Sequence, residues 1–222
     1  MSFEHSLKNA YIGKVIEKSV DLRGKTLAEV QAEWWDIAAF SWSYILGSDW
    51  LKNGTTSNNV VFLSYYLPEA LTSSNKIKIH ITWHRTRNAI SWNYNYIWWQ
   101  DIGLINTIAN SWINFISWNY RAWNNGDNTW INYYYNNVLT TLSSVWPNNV
   151  WGDTDLTFEL DLSDGSMTFN ITSPTTWTWT WTLSASQLSY VLWLRYVYFR
   201  TINLNSSNSN YGLIKTIDLT IS

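Results

Sequence analysis

The stretch "KIKIHITWH" sends Ile77, Ile79, Ile81 and Trp83 to one side and Lys76, Lys78, His80, Thr82 and His84 to the other. A side-chain period of two is that of a β-strand with one face buried and one in water. A helix would scatter the same four apolar residues around its circumference. The alternation recurs through the rest of the chain. "ISWNYRAW" and "TWINYYY" flank "NNGDN", which reads as a hairpin with a glycine-containing five-residue turn. "LTFELDL" and "SMTFNIT" flank "SDG" as a second hairpin. In "TWTWTWTL", Trp177, Trp179 and Trp181 share a face opposite a row of threonines. "SYVLWLRYVYF" is apolar on both faces, the pattern of a central strand covered by two layers. "YGLIKTIDLTIS" alternates again and closes the chain.

Two regions depart from strand periodicity. "TLAEVQAEWWDIAA" opens with Thr26 and places Glu29 three residues on, a capping box, followed by Val30, Trp34 and Ile37 at helical spacing. The pattern predicts a helix over 25–38, packed on or beside the sheets. "DIGLINTIANSWINF" is ambiguous, because Ile105, Ile108, Trp112 and Phe115 suit a helix as well as a strand. The string "ISWNY" occurs twice, at 90–94 and 116–120, and in each copy Ile, Trp and Tyr share the face expected to line a core.

Many strands joined by Asn, Gly and Ser turns, with one early helix, predict an all-β fold: an antiparallel two-sheet jelly-roll sandwich with one short N-terminal helix. At 222 residues a single domain over 1–222 is expected. Charged residues make up 14 % of the chain and the formal net charge is −2, so no long-range positive field draws in phosphate backbones and nucleic acid is not expected as a partner. The absence of cysteine removes disulfides, thiolate metal sites and a cysteine nucleophile. No apolar run approaches the ~18 residues of a membrane helix, so membrane insertion is not expected. The first residues carry no apolar signal-peptide core, which points to synthesis in the cytoplasm without a signal peptide.

The order "DLTFELDLSDGSMTFNIT", "TWTWTWTL", "LWLRYVYFR", a polar Asn/Ser loop and "GLIKTIDLTIS" resembles the C-terminal half of concanavalin A-like, or laminin-G-like, jelly rolls. In that superfamily a final strand of this pattern returns beside the N-terminus. The resemblance covers roughly residues 150–222 and implies the fold more than any activity, since lectins, glycanases and structural modules share it. Its endo-β-glucanases carry E-x-D-x-x-E. On "ELDLSD" that pattern makes Glu159 the nucleophile and Asp161 the helper, with Asp164 standing in for the terminal Glu. Asp164 departs from the pattern: it is one methylene shorter and directly precedes Gly165, where a turn residue is expected in any case. Retaining hydrolysis needs carboxyl groups about 5–5.5 Å apart. The alternative reading turns Glu159 and Asp161 to water and spends Asp164 on the hairpin.

Calcium could be held through Asp153 and Asp155 in "WGDTD", as in some laminin-G-like modules, or these could begin a strand as a polar loop. His80 and His84 on a strand stand roughly 13 Å apart, too far to share one ion. No catalytic set or cofactor is therefore assigned. The aromatics remain, with 18 Trp and 14 Tyr in the chain. A Trp or Tyr ring can lie on the apolar face of a pyranose while Asn, Asp and Arg satisfy its hydroxyls, and the same rings suit protein interfaces. "WNYNYIWWQD" and "WNYRAWNNGDN" supply both kinds of partner. The residues expected to meet glycan or a protein partner are Trp98, Trp99, Trp123, Asn125, Asp127 and Trp130. The function expected is that of a non-enzymatic, lectin-like structural or adhesion protein: a homo-oligomer on a virion surface that meets cell-surface glycan. The alternative is an endo-β-glycanase using Glu159 and Asp164.

Overall fold

A computed structural model of the chain describes residues 15–39, 44–46, 51–53, 59–85, 98–108, 115–123, 126–135, 138–145, 152–173, 176–203 and 212–222. The strands are β1 (Ile16–Asp21), β2 (Trp35–Ala39), β3 (Tyr44–Leu46), β4 (Leu51–Asn53), β5 (Asn59–Tyr66), β6 (Lys76–Arg85), β7 (Trp98–Ile105) and β8 (Phe115–Trp123). They continue as β9 (Gly126–Tyr135), β10 (Val138–Val145), β11 (Gly152–Asp161), β12 (Ser166–Ser173), β13 (Trp177–Thr182), β14 (Tyr196–Asn203) and β15 (Gly212–Ile221). Helices α1 (Leu27–Ala32) and α2 (Ala185–Val191) complete the described elements.

All the pairings are antiparallel and form two sheets. The eight-stranded sheet runs β13-β12-β11-β6-β15-β4-β3, with β1 also on β15. The seven-stranded sheet runs β10-β9-β8-β7-β14-β5-β2. The closing strand β15 lies beside β1, with Ile217 opposite Val20, as the resemblance implies.

Between the sheets lies one large core. Ile77, Ile79, Ile81 and Trp83 of β6 enter it with Leu156, Phe158 and Leu160 of β11, Met167, Phe169 and Ile171 of β12 and Ile217 and Leu219 of β15. They meet Leu63, Leu104, Ile116, Ile131, Val197 and Phe199 of the other sheet. Each such side chain, once buried, contributes about 1.5–3 kcal/mol, which is why the period-two pattern pins the strand registers. Phe158 and Phe169 stack across β11 and β12 at 4.8 Å, and Trp179 packs on Phe169 from β13. Gly165, at φ +76°, turns the β11–β12 hairpin, where any side chain would also press on Leu183.

Three sequence expectations need correction. The helix predicted over 25–38 has its capping box, with Thr26 and Glu29 bonded reciprocally, but ends at Ala32. Trp34 adopts φ 69°, a left-handed backbone that a helix cannot continue, and Trp35–Ala39 instead pair with β5. The expectation of a single helix misses α2, which a second capping box starts: Ser184 accepts from Gln187 N, and the Gln187 side chain returns to Ser184 N. That helix takes the first part of the apolar run read as one strand. The five-residue hairpin turn is tighter than expected, since Trp123 pairs directly with Gly126.

Candidate functional site

The face of the seven-stranded sheet turned away from the main core has a chemistry of its own. Register aligns Asp36, Ser64, Tyr198, Gly103, Ser117, Asn132 and Thr141 in one row that crosses all seven strands. Each is polar or glycine. Ser64, Tyr198, Ser117 and Asn132 in the middle are buried, whereas Asp36 and Thr141 at the ends are exposed. Thr141 donates to Asn132 Oδ1 at 3.2 Å. Gly103 is required at the centre, because a Cβ there would lie 2.1 Å from the carbonyl oxygen of Ile116.

The neighbouring row reads Ala38, Phe62, Arg200, Asp101, Asn119, Trp130. Asp101 is 0 % exposed and Arg200 6 %. Nε and Nη2 of Arg200 both engage Oδ2 of Asp101, and the guanidinium lies over the Phe62 ring at 5.7 Å. Two charges taken out of water are tolerated here because each neutralises the other. Burial pushes the Tyr198 phenol well above its ordinary value, and the Asp101 charge adds to the shift. Ser117 lies within electrostatic reach of Tyr198, yet the Tyr198 hydroxyl and Ser117 Oγ make no hydrogen bond of good geometry. Phe62, Tyr198, Val60 and Ile105 form a second, smaller buried cluster on this face.

Of the sequence-predicted residues, Asn125 lies outside the described residues. The adjacent strands β7, β8 and β9 place Trp98, Trp99, Trp123 and Asp127 at one end of this same sheet. Asn203, Trp98, Ala122 and Asp127 occupy one row, and Ile202, Trp99, Arg121 and Asn128 the next. Trp123 closes the hairpin opposite Gly126. Trp130 stands in the row of the buried Asp101–Arg200 pair. With strands about 4.8 Å apart, the positions of Trp98 and Asp127 are separated by about 10 Å although 29 residues divide them in sequence.

The carboxylates of β11 belong to the outer face of the eight-stranded sheet. Glu159 pairs with Lys78 at 2.9 Å, and Asp161 with Lys76 at 2.6 Å. The Lys76 hydrogen bond, then those from Ser163, pull Asp161 down to about 2. Asp164 is beyond the strand end and accepts from Ser166 N at 2.8 Å; hydrogen bonds from Ser166 hold it below the usual carboxylate range. A general acid requires the opposite shift. Asp153 accepts from Lys215 at 2.7 Å, while Asp155 faces His80 Nε2 at 3.1 Å. The other ring nitrogen of His80 faces Asp218 at 3.1 Å, so Asp153 and Asp155 are engaged by different partners. Among the described residues no group of three or more His, Asp and Glu is arranged to hold a metal ion. A cavity of about 350 Å³ lies on this face over Lys76, Lys78, Glu159, Asp161 and Thr168.

Sequence reasoning passed over Ser64, Asp101, Gly103, Ser117, Asn132 and Arg200. Their signal was present: each places a polar or glycine residue at alternate positions of a strand otherwise rich in large apolar side chains, as in "FLSYY", "DIGLI" and "WINYYY".

No family model matches the chain, and no curated protein matches it in sequence. Solved structures do. The CBM2 module of the evolved Dit of Lactobacillus casei BL23 phage J-1 superposes with a TM-score of 0.67 at 9 % identity, over 93 % of this chain and 96 % of that one. Peanut lectin, solved with a nine-residue peptide, gives 0.67 at 8 % identity over 95 % and 98 %. The seed lectin of Lotus tetragonolobus gives 0.64 at 13 % identity over 93 % and 98 %. The fold is thus a two-sheet antiparallel β-sandwich like that of these lectins.

Proposed function

We propose that this chain is a non-enzymatic, lectin-like structural or adhesion protein that binds glycan toward the end of its seven-stranded sheet where adjacent strands carry Trp98, Trp99, Trp123, Asp127 and Trp130. The observation that carries the reading is the register: three adjacent strands bring Trp98, Trp99, Trp123 and Asp127 from distant parts of the chain to one sheet end, with Trp130 three residues further in. Rings beside carboxylates and amides are the partners a pyranose needs, an apolar face to lie on and acceptors for its hydroxyls. The buried Asp101–Arg200 pair ties two strands of the same sheet, β7 and β14. Lectins and a phage carbohydrate-binding module among the structural neighbours support the same reading. The narrower proposal is a virion protein made in the cytoplasm that works as a homo-oligomer and meets cell-surface glycan, and the phage module supports its virion part alone.

Screening the protein on a glycan array, followed by calorimetric titration of any hit, tests the proposal. Trp123→Ala and Trp130→Ala should each weaken the hit about ten-fold without lowering the melting temperature by more than a few degrees. Absence of any glycan ligand, or titrations unchanged in both variants, would overturn it. A reducing-sugar assay on β-glucans checks the glycanase alternative: activity lost in Glu159→Gln would restore that reading, and inactivity of the parent removes it. Light scattering tests the homo-oligomer, which a strict monomer contradicts.

A further inference from the structure

Of the strands that end the two sheets, β10 is open in a way the others are not. It closes one side of the seven-stranded sheet, paired with β9 on its inner edge and, among the described residues, with no strand on its outer edge. Val138, Leu139, Thr140 and Thr141 are all exposed, Val138 at 61 % and Leu139 at 47 %. Successive side chains of a strand point to opposite faces, so these two apolar residues leave both faces of the edge uncovered. The apolar surface continues inward. Tyr135, directly opposite Val138, is 41 % exposed, and its ring lies 4.4 Å from that of Tyr190 on α2.

The other sheet ends are guarded. β2, on the far side of the same sheet, carries the exposed Asp36, which accepts from Gln31 of α1 at 2.9 Å. β3 is three residues long. β13 is uncharged, but its Trp177, Trp179 and Trp181 pack against the core and only its threonines stand out. A charge, a short strand or a covered apolar face each discourages another chain from adding to an edge. "VLTTLSSV" contains no charge and no proline, and neither does the stretch of β9 beside it, Thr129–Tyr135. A register shift between Thr141 and Ser143 confines the regular part of the edge to Val138–Thr141.

A strand that fits this edge must be extended, uncharged and apolar at intervals, and β10 itself meets that description. Two copies related by a two-fold axis perpendicular to the sheet bring these edges together antiparallel, with residues of like parity facing one another. When Leu139 stands opposite Leu139 of the second copy, Val138 stands opposite Thr140 on the other face, and cross-strand pairs of this kind stabilise a sheet. Although each chain has a formal net charge of −2, no like charges meet across strands of this composition. We propose that β10 is the contact through which two copies of this chain join, edge to edge, so that their seven-stranded sheets run on as one. The contact uses the same strand of both copies and therefore closes at the dimer. It rests on the homo-oligomeric part of the proposed function and names the surface that forms the oligomer.

Sedimentation velocity over a concentration series tests it. The parent should pass from monomer to dimer as concentration rises, and added salt should leave the dimer constant within about two-fold, since the contact holds no ion pair. Leu139→Lys and Leu139→Glu each set like charges across the axis and should weaken the dimer at least about ten-fold. Because Leu139 is exposed, both variants should melt with the parent in dilute solution. An equimolar mixture of the two should regain the association as a heterodimer. A parent that stays monomeric at every concentration would overturn this contact together with the homo-oligomer. An oligomer that both variants leave intact, a mixture that associates no better than its components, or open-ended growth of the parent would overturn this contact alone.

Discussion

The outer faces of the two sheets use the same ion-pair chemistry at different depths. On the eight-stranded sheet, Lys76–Asp161, Lys78–Glu159 and Lys215–Asp153 lie across neighbouring strands in contact with water. On the seven-stranded sheet, Asp101–Arg200 is sealed beside Tyr198 and Phe62. Solvent screens the first set, so each pair adds little to stability. The buried pair is tolerated only while both members are present. One face carries its ion pairs in water. The other holds a buried polar row, on strands that also carry the aromatic positions.

The largest effect should come from breaking the buried pair. Asp101→Ala strands the Arg200 charge and should cost about 3–5 kcal/mol in urea unfolding. The double change Asp101→Leu with Arg200→Met should recover most of that loss, which marks the cost as that of an unpaired charge. Gly103→Ala comes next: its methyl would meet the Ile116 carbonyl, and forcing β7 from β8 should cost about 1–3 kcal/mol. On the exposed face, Lys78→Ala should change stability by about 1 kcal/mol or less, and added salt should erase the difference.

Acid titration sharpens the same contrast. Asp161, Asp164 and Asp21 are held below their ordinary values, the last mainly by its Arg23 hydrogen bond. A depressed folded-state value means stability present above about pH 4 and lost as the pH falls toward 2. The thermal midpoint should therefore drop over that window, and less so in Asp161→Asn. At the alkaline end the raised Tyr198 phenol works the other way, with stability complete below pH 10 and lost above it.

Much of the fold was legible because buried strand faces repeat every two residues. Ile77, Ile79, Ile81 and Trp83 are buried as the pattern requires, and Trp177, Trp179 and Trp181 pack against the core. The helix end at Ala32 was not legible, because Trp34 in a left-handed conformation has no local sequence signal; such a bulky residue at positive φ costs roughly 1–2 kcal/mol and is held by its surroundings. Helix α2 was hidden by an apolar run that suited a strand equally well, with Ser184 and Gln187 as its unread start. The candidate site was half legible. Trp98, Trp123 and Trp130 stood out by type, but their placement on neighbouring strands of one sheet depends on strand order. The Asp101–Arg200 pair depends on contacts between residues 99 apart in sequence.

The most direct test of the account is a titration of one array-identified neutral glycan against the parent protein and a quadruple variant with Trp98, Trp99, Trp123 and Trp130 changed to Ala. The account predicts saturable binding by the parent and its loss in a variant that still unfolds cooperatively. A folded variant that binds the glycan as tightly as the parent would contradict it.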